Sequence, residues 1–217
     1  MPKAKKTGIS TSVIKRLPRY YRFIGELVKQ GIVRSSSGDL AAKMSLTASQ
    51  IRQDLNCFGG FGQQGYGYNL VELRDEIGKI LGVDRGYKTV LFGAGNLGKA
   101  IATHMNFSEY GCDLVGIFDS DLRKENEKVA DLSIMSIGRL EDFFEAVHPE
   151  IAILCIPKSS AQGLADKLIS LGIKAFWNFS HYDLKVSHKD IIVENVHLGD
   201  SLMTLSYGLT NCSDEEE

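Results

Sequence analysis

The feature that most narrows the folds open to this chain is Gly93-Ala94-Gly95-Asn96-Leu97-Gly98, set directly after the apolar run Thr89 to Phe92 and directly before a helical pattern. A G-x-G-x-x-G run alone is a weak signal, but a strand before it and a helix after it give each glycine a physical role. The first permits a tight turn, the second lets a pyrophosphate approach the backbone, and the third allows the helix to pack closely on the strand. The helix then presents free N–H groups and the positive end of its dipole to an anion. A second strand, Leu114 to Phe118, ends at Asp119, 21 residues beyond Gly98. A carboxylate there accepts both ribose hydroxyls of an adenosine and repels a 2'-phosphate, which favours NAD(H) over NADP(H). Arg123 and Lys124 lie nearby in sequence and temper that preference.

Alternating strands and helices continue downstream, with helices at 137–147 and 161–171 and strands at 151–156, 174–178 and 191–194. Ile151 to Ile156 is nearly all apolar, as a strand covered on both faces requires. The pattern predicts a Rossmann-like parallel sheet, with ligand over the carboxyl ends of its strands. Ile156 and Pro157 end one strand there, and Asn178 and Phe179 end another and are expected to edge the nicotinamide. An apolar wall of Ile156, Pro157 and Phe179 would favour a neutral reduced ring over a cationic oxidised one, because burying a charge is costly.

The region before the glycine run is different in kind. Residues 1–82 carry 13 Lys and Arg against 6 Asp and Glu, a net charge of +7, and the remainder carries 12 against 21, a net of −9, which together give the chain's −2. A polyanion is therefore drawn to the first part and repelled by the second. Three short helical patterns fill this basic part. Pro18 suits a first helical turn, followed by Tyr20, Ile24, Leu27 and Val28 up to Gly31. Ser36 with Asp39 caps a second helix, and Thr47 with Gln50 forms a capping box that opens a third, ending near Phe58. In the third helix Ile51, Leu55 and Phe58 form the packing stripe, and Ser49, Gln50, Arg52, Gln53 and Asn56 are candidate contacts to bases or phosphates. Two helices joined by a turn at 45–48 read as helix-turn-helix. Residues 58–69 then hold five glycines between aromatics, the composition of a β-hairpin wing with Gln63 and Gln64 at its tip. A helix capped by Asn69 runs to Gly82, and 84–86 reads as a linker.

The expected architecture is α/β overall: a winged helix-turn-helix domain over 1–82, and a Rossmann-like NAD(H)-binding and dimerisation domain over 86–217. The latter ends in a helix at 198–210 striped by Leu198, Leu202, Leu205 and Leu209. The acidic tail Asp214 to Glu217 is expected to be disordered. No apolar run is long enough to span a membrane, and the start lacks the apolar core of a signal peptide, so a soluble cytoplasmic protein is expected. Cys57, Cys112, Cys155 and Cys212 never form C-x-x-C and are expected to be reduced thiols, mostly buried, holding neither disulfide nor metal. His104, His148, His181, His188 and His197 show no metal-ligand spacing, and no nucleophile or acid-base motif marks a catalytic residue. His181, three residues beyond Asn178, is best placed to reach a nicotinamide and reads as a loop or supporting group rather than a catalyst. A small NAD-dependent oxidoreductase with a helical oligomerisation domain is the alternative function, although the chain lacks a substrate domain of the usual size.

The order of these parts resembles the Rex family of bacterial redox-sensing transcriptional repressors. The resemblance rests on RLPRYYRF at 16–23, SS..LA at 36–41, QIRQDL..FG.FG..GYGYN at 50–69, FGAGNLGKA at 92–100, CIP at 155–157, NF at 178–179 and ENV.L at 194–198. It implies a homodimer on a pseudo-palindromic DNA operator, with the terminal helix exchanged between subunits and NAD(H) bound as a regulatory ligand. NADH releases DNA, and NAD+ competes for the same site without doing so. It also implies that Arg16, Met105 and His197 occupy switch positions, with Met105 standing where relatives often have Tyr and His197 where they often have Asp. Gln53 and the Gln63-Gln64 pair stand where many relatives carry basic residues.

Overall fold

The computed structural model describes residues 9–63 and 66–213. The wing-tip residue Gln64, the side chain of Gln63 and the acidic tail at 214–217 lie outside what is described. The chain divides into two compact units, Met1–Asp84 and Arg85–Glu217.

The first unit runs α1 (Thr11–Lys29), β1 (Arg34–Ser35), α2 (Ser37–Met44), α3 (Ala48–Asn56), β2 (Gly62–Gln63), β3 (Gly67–Asn69) and α4 (Leu70–Leu81). Helix α1 starts earlier than its proline suggests, and Pro18 lies inside it. Val13 and Leu17 extend the buried stripe of Tyr20, Ile24 and Leu27 by two more turns, and packing outweighs the local cost of a proline. Ser36 makes the full capping box with Asp39: its side chain accepts from the Asp39 N–H at 3.0 Å, and the Asp39 carboxylate accepts from the Ser36 N–H at 3.2 Å. Thr47 makes only half of one. Its Oγ1 accepts from the Gln50 N–H at 3.1 Å, while the Gln50 amide turns to Asp54 instead of back to the cap.

Strands β1, β3 and β2 form a small antiparallel sheet in that order. Gly67 sits at φ +69°, and a Cβ there would strike the Ser35 carbonyl at 2.5 Å, so the approach of the hairpin to β1 requires glycine. One core joins the four helices, with Leu17, Tyr20, Ile24, Leu40, Ile51, Leu55, Leu70 and Leu73 essentially sealed from solvent.

The second unit follows as β4 (Tyr87–Phe92), α5 (Asn96–His104), β5 (Cys112–Asp119), β6 (Lys128–Val129), β7 (Leu132–Ser136), α6 (Leu140–Val147), β8 (Ile151–Leu154) and α7 (Lys158–Ser170). It closes with β9 (Ala175–Asn178), α8 (Leu184–Ser187), β10 (Ile192–Asn195) and α9 (Leu198–Ser213). The sheet order is β10-β9-β8-β4-β5-β7-β6. All neighbours are parallel except β6 and β7, so the expected parallel sheet gains an antiparallel edge. The chain leaves β4 toward β5 and returns to β8 on its other side, which makes the gap between β4 and β8 the switch point over which α/β folds bind ligands.

Residues alternate between two cores along the central strands. Val90, Phe92, Ala152 and Leu154 pack under α6 and α7, and Leu91, Ile117, Ile134 and Ile153 pack under α5. Phe92 stacks on Phe118 with centroids 5.3 Å apart, fixing the ends of two neighbouring strands beside the glycine turn. The described thiols differ from expectation, Cys57 being exposed and Cys112 and Cys155 only half-buried, while the Cys212 side chain lies outside what is described. Helix α9 exposes Leu198, Leu202, Leu205 and Leu209 to between 63% and 67%.

Candidate functional site

In the second unit, the carboxyl ends of β4, β5 and β8 open into a cavity of about 600 Å³ lined by Gly93, Gly95, Phe118, Asp119, Ile156 and Pro157, among others. Gly93 has φ +97°, and a Cβ on it would collide with the Cys155 carbonyl, so the backbones of β4 and β8 touch at the switch point. A Cβ on Gly98 would collide with the Gly93 carbonyl. Gly95 differs from both: nothing lies within 4 Å of where its Cβ would be, and that open side faces the cavity. Gly95 caps α5 with no side-chain bond and no acid in the first turn, so the first-turn N–H groups and the dipole are available to an anion.

Asp119 ends β5 and is 8% exposed. Its Oδ2 accepts from the Ala94 N–H at 2.8 Å and from Lys124 Nζ at 2.9 Å, and its Oδ1 accepts from the Asp121 N–H at 2.8 Å. Burial pushes this carboxyl up, but the Asp121 N–H, Lys124 and the Ala94 N–H together hold it below the usual carboxylate range. It is an anion whose Oδ2 is filled by the Ala94 N–H and Lys124 while its Oδ1 keeps one free lone pair, suited to accept a hydroxyl donor. Ala94 is thus buried and tied to Asp119, and Asn96 and Leu97 are exposed on the first turn of α5.

Asn178 lies beneath the surface and off the cavity wall. Fully buried, it donates from Nδ2 to the Tyr182 carbonyl at 2.7 Å and to Asn195 Oδ1 at 2.8 Å, and its Oδ1 accepts from Ser180 N–H and Oγ. Every polar site of its side chain is used in fastening the loops after β9 and β10. Phe179 packs edge-on against Trp177, 4.8 Å between centroids, and is absent from the cavity wall. His181 turns to His197: their Nδ1 atoms lie 2.9 Å apart and their rings stack with centroids 4.8 Å apart. Met105, at the end of α5, packs against the core on that side of the sheet.

Sequence reasoning missed the α7 side of the cavity, formed by Ser160, Gly163, Leu164 and Lys167. The signal was present in their helical spacing around a glycine, although two polar residues at that spacing also describe a solvated face. Cys155 and Ile137 complete the apolar wall, and burial pushes the Cys155 thiol up to about 12, so it remains neutral.

The first unit presents a second candidate surface. Ser49, Arg52, Gln53 and Asn56 are exposed along α3 while Ile51, Asp54 and Leu55 are buried. Gln50 separates from the other candidates, because its Nε2 donates to Asp54 Oδ1 at 2.8 Å. The Arg52 guanidinium rests on Ser37 Oγ at 2.8 Å, next to the start of α2. Asp54, which sequence reasoning overlooked, is 1% exposed and gathers Arg16, Tyr20 and Gln50. Burial raises its pKa, and hydrogen bonds from those three side chains more than offset this, leaving it lowered.

A dinucleotide-type cavity in one unit and a winged helix-turn-helix in the other define a ligand-responsive DNA-binding protein. Profiles described as "Putative DNA-binding protein N-terminus" and "CoA binding domain" match residues 8–56 and 84–182. The redox-sensing transcriptional repressor Rex of Caldanaerobacter subterraneus subsp. tengcongensis is 55% identical over 95% of this chain and 92% of its own, and that of Clostridium perfringens is 52% identical over 95% and 97%. The chain belongs to the Rex family of redox-sensing transcriptional repressors, a family of regulators rather than enzymes, which sets the oxidoreductase alternative aside. Among solved structures, RSP in complex with β-NAD+ and operator DNA is 53% identical with a TM-score of 0.89, each chain covered to 97%. RSP in complex with β-NADH is 50% identical with a TM-score of 0.87, covering 97% of this chain and 99% of that one.

Proposed function

We propose that this chain is a transcriptional repressor that holds operator DNA through α3 and the wing and releases it when NADH fills the cavity above β4, β5 and β8. The observation that carries the reading is the presence, in one chain, of the exposed Ser49, Arg52, Gln53 and Asn56 face and the Gly93, Gly95 and Asp119 cavity. In this reading the α5 N-terminus takes the pyrophosphate, Asp119 takes the adenosine ribose, and Ile156 and Pro157 lie along the dinucleotide. Arg52 and Asn56 reach base edges, Ser49 and Gln53 support them, and Gln63 and Gln64 at the wing enter a minor groove.

The protein acts as a homodimer on a pseudo-palindromic operator, with the leucines of α9 buried against a second copy; their exposure in the single chain supports this. Arg16, Met105 and His197 relay the state of the pocket. A repressor of bacterial operators works in the cytoplasm, and among the described residues no helix is long and apolar enough to cross a membrane. Release requires NADH to favour the DNA-incompetent state more strongly than NAD+ does, since a ligand with equal affinity for both states shifts nothing. The wall of Ile156, Leu164 and the neutral Cys155 supplies that bias by accepting the uncharged reduced ring more readily than the cationic one.

The direct test is titration of the chain with NADH, following the fluorescence of the reduced nicotinamide. Saturable binding of one NADH per chain, weakened in Gly95→Ala, is expected; absence of saturable binding in the unaltered chain defeats the reading.

A further inference from the structure

The wing is a hairpin without charge. Residues 55–71, which carry β2 and β3, contain no Lys, Arg, Asp or Glu. A duplex is a dense polyanion, and nearly all sequence-independent affinity for it comes from cations set against its phosphates. The wing sheet takes its cation from elsewhere in the chain. Arg34 begins β1, the strand that pairs antiparallel with β3 and completes the sheet, in the register Arg34 to Asn69 and Ser35 to Tyr68. From opposite Asn69 its side chain runs back along β3, and Nη1 donates to the Tyr66 carbonyl at 3.4 Å, where the hairpin turns.

Three observations make this guanidinium a contact for an outside anion. Arg34 is exposed, and so is the Tyr66 side chain beside the anchoring carbonyl, at 72%. Among the described residues its guanidinium bonds no carboxylate, and the hydrogen bond it makes is long, which leaves most of its N–H donors unused. The site also continues the polar face of α3. Ser37, which opens α2 three residues after Arg34, accepts from Arg52 at 2.8 Å on its Oγ, and the Arg52 charge reaches the buried Tyr68 phenol, opposing the upward push of burial on its pKa. Arg34 at the wing and Arg52 on α3 are thus linked through one short stretch of chain, 34–37.

We propose that Arg34 is a further DNA-contact residue: its guanidinium grips a backbone phosphate beside the wing and supplies the charge that the hairpin lacks. This rests on the operator-binding reading above and deepens it. A guanidinium forks onto phosphate oxygens with two parallel bonds, and exchanging a long bond to a neutral carbonyl for charge-assisted bonds to phosphate is favourable. The contact is to the backbone, so it fixes the seat of the wing on the duplex and reads no base.

The test uses a fluorescent duplex that the unaltered full chain selects from a random-sequence pool, together with single-base variants of that duplex. Anisotropy titrations of the unaltered chain, Arg34→Gln and Arg34→Lys are run over a series of salt concentrations. Arg34→Gln should weaken binding by about 10-fold or more at about 50 mM salt, and lower the slope of log affinity against log salt by about 0.9 for each chain on the duplex, the share of one phosphate. The loss should be the same, within about 3-fold, on every base variant. Arg34→Lys keeps a point charge that still binds phosphate and should stay within about 3-fold of the unaltered chain. Both variants should melt with the unaltered chain, since the side chain is exposed. Affinity and slope unchanged in Arg34→Gln overturn the inference, and so does a loss that depends on the base variant, which would place Arg34 on a base edge. An unaltered chain that selects no duplex overturns the operator-binding reading itself.

Discussion

Arg16 grips Asp54 across 38 residues of sequence, its Nε donating to Oδ2 at 2.6 Å and its Nη2 to Oδ1 at 2.8 Å. The contact fastens α1 to the buried side of α3, opposite its exposed polar face. Tyr20 and Gln50 fill the remaining positions on the carboxylate at 2.7 and 2.8 Å. Helix α3 is thus held from behind by an ion pair rather than by apolar packing alone, and its orientation depends on one buried charge.

Replacing that charge removes an acceptor shared by three side chains. Asp54→Ala should cost ~3 kcal/mol, the low end for breaking a buried pair, because Arg16 retains partial access to water. Urea denaturation followed by far-UV circular dichroism measures it, and a loss under about 1 kcal/mol contradicts the bonding described.

The same cluster sets the pH range of stability. Asp54 and Asp119 are held below the ordinary carboxylate value of about 3.9, so their contributions are complete above it and disappear as pH falls through the lowered native values. Burial, followed by its bond to Asp54, raises Tyr20, so the stability this supplies is complete below the ordinary tyrosine value of about 10 and is lost at higher pH. Thermal midpoints should therefore be flat between about pH 5 and 9 and fall on either side. Asp54→Asn should flatten the acid limb and Tyr20→Phe the alkaline one; limbs identical to those of the unaltered chain would count against both assignments.

The three glycines of the turn should respond differently to the same substitution. Gly93→Ala and Gly98→Ala place a Cβ against backbone carbonyls and should destabilise the fold by ~2 kcal/mol or more. Gly95→Ala meets no atom within 4 Å and should fold like the unaltered chain, yet weaken NADH by about 10-fold because the methyl occupies the approach of the pyrophosphate. Calorimetry of unfolding beside NADH titration separates the two effects. Equal stability losses at all three positions would refute the geometry.

Arg52→Ala should reduce specific operator binding by about 1–3 kcal/mol and relax preference at one base pair, since its guanidinium is exposed and rests on Ser37. Competition binding with single-base operator variants checks this. A uniform loss on every sequence would mean that Arg52 touches phosphate instead.

Local backbone chemistry was legible in the sequence. Gly93, Gly98 and Asp119 act through a turn and the strand that follows it, and the exposed face of α3 follows from a 3.6-residue period. What escaped depends on distant partners. Asp54 reads as a surface acid until Arg16 folds over it. Asn178 has the residue type and strand-end position of a ligand contact, but Asn195 and Tyr182 claim its side chain first. The pair β6 and β7 was missed because two and five residues are too short to show alternation above chance. Pro18 misplaced the start of α1 because a proline signals a first turn only when packing does not carry the helix through it.

The central claim is that filling the cavity over β4, β5 and β8 changes the grip of α3 on DNA, and fluorescence anisotropy of a labelled operator tests it most directly, with NADH and NAD+ titrated separately into the repressor–DNA complex. The account predicts that NADH lowers operator affinity by at least about 10-fold, on the usual scale of allosteric coupling, that NAD+ leaves the complex intact, and that excess NAD+ shifts the NADH curve to higher concentration. Operator affinity indifferent to both dinucleotides, or lowered equally by both, would contradict it.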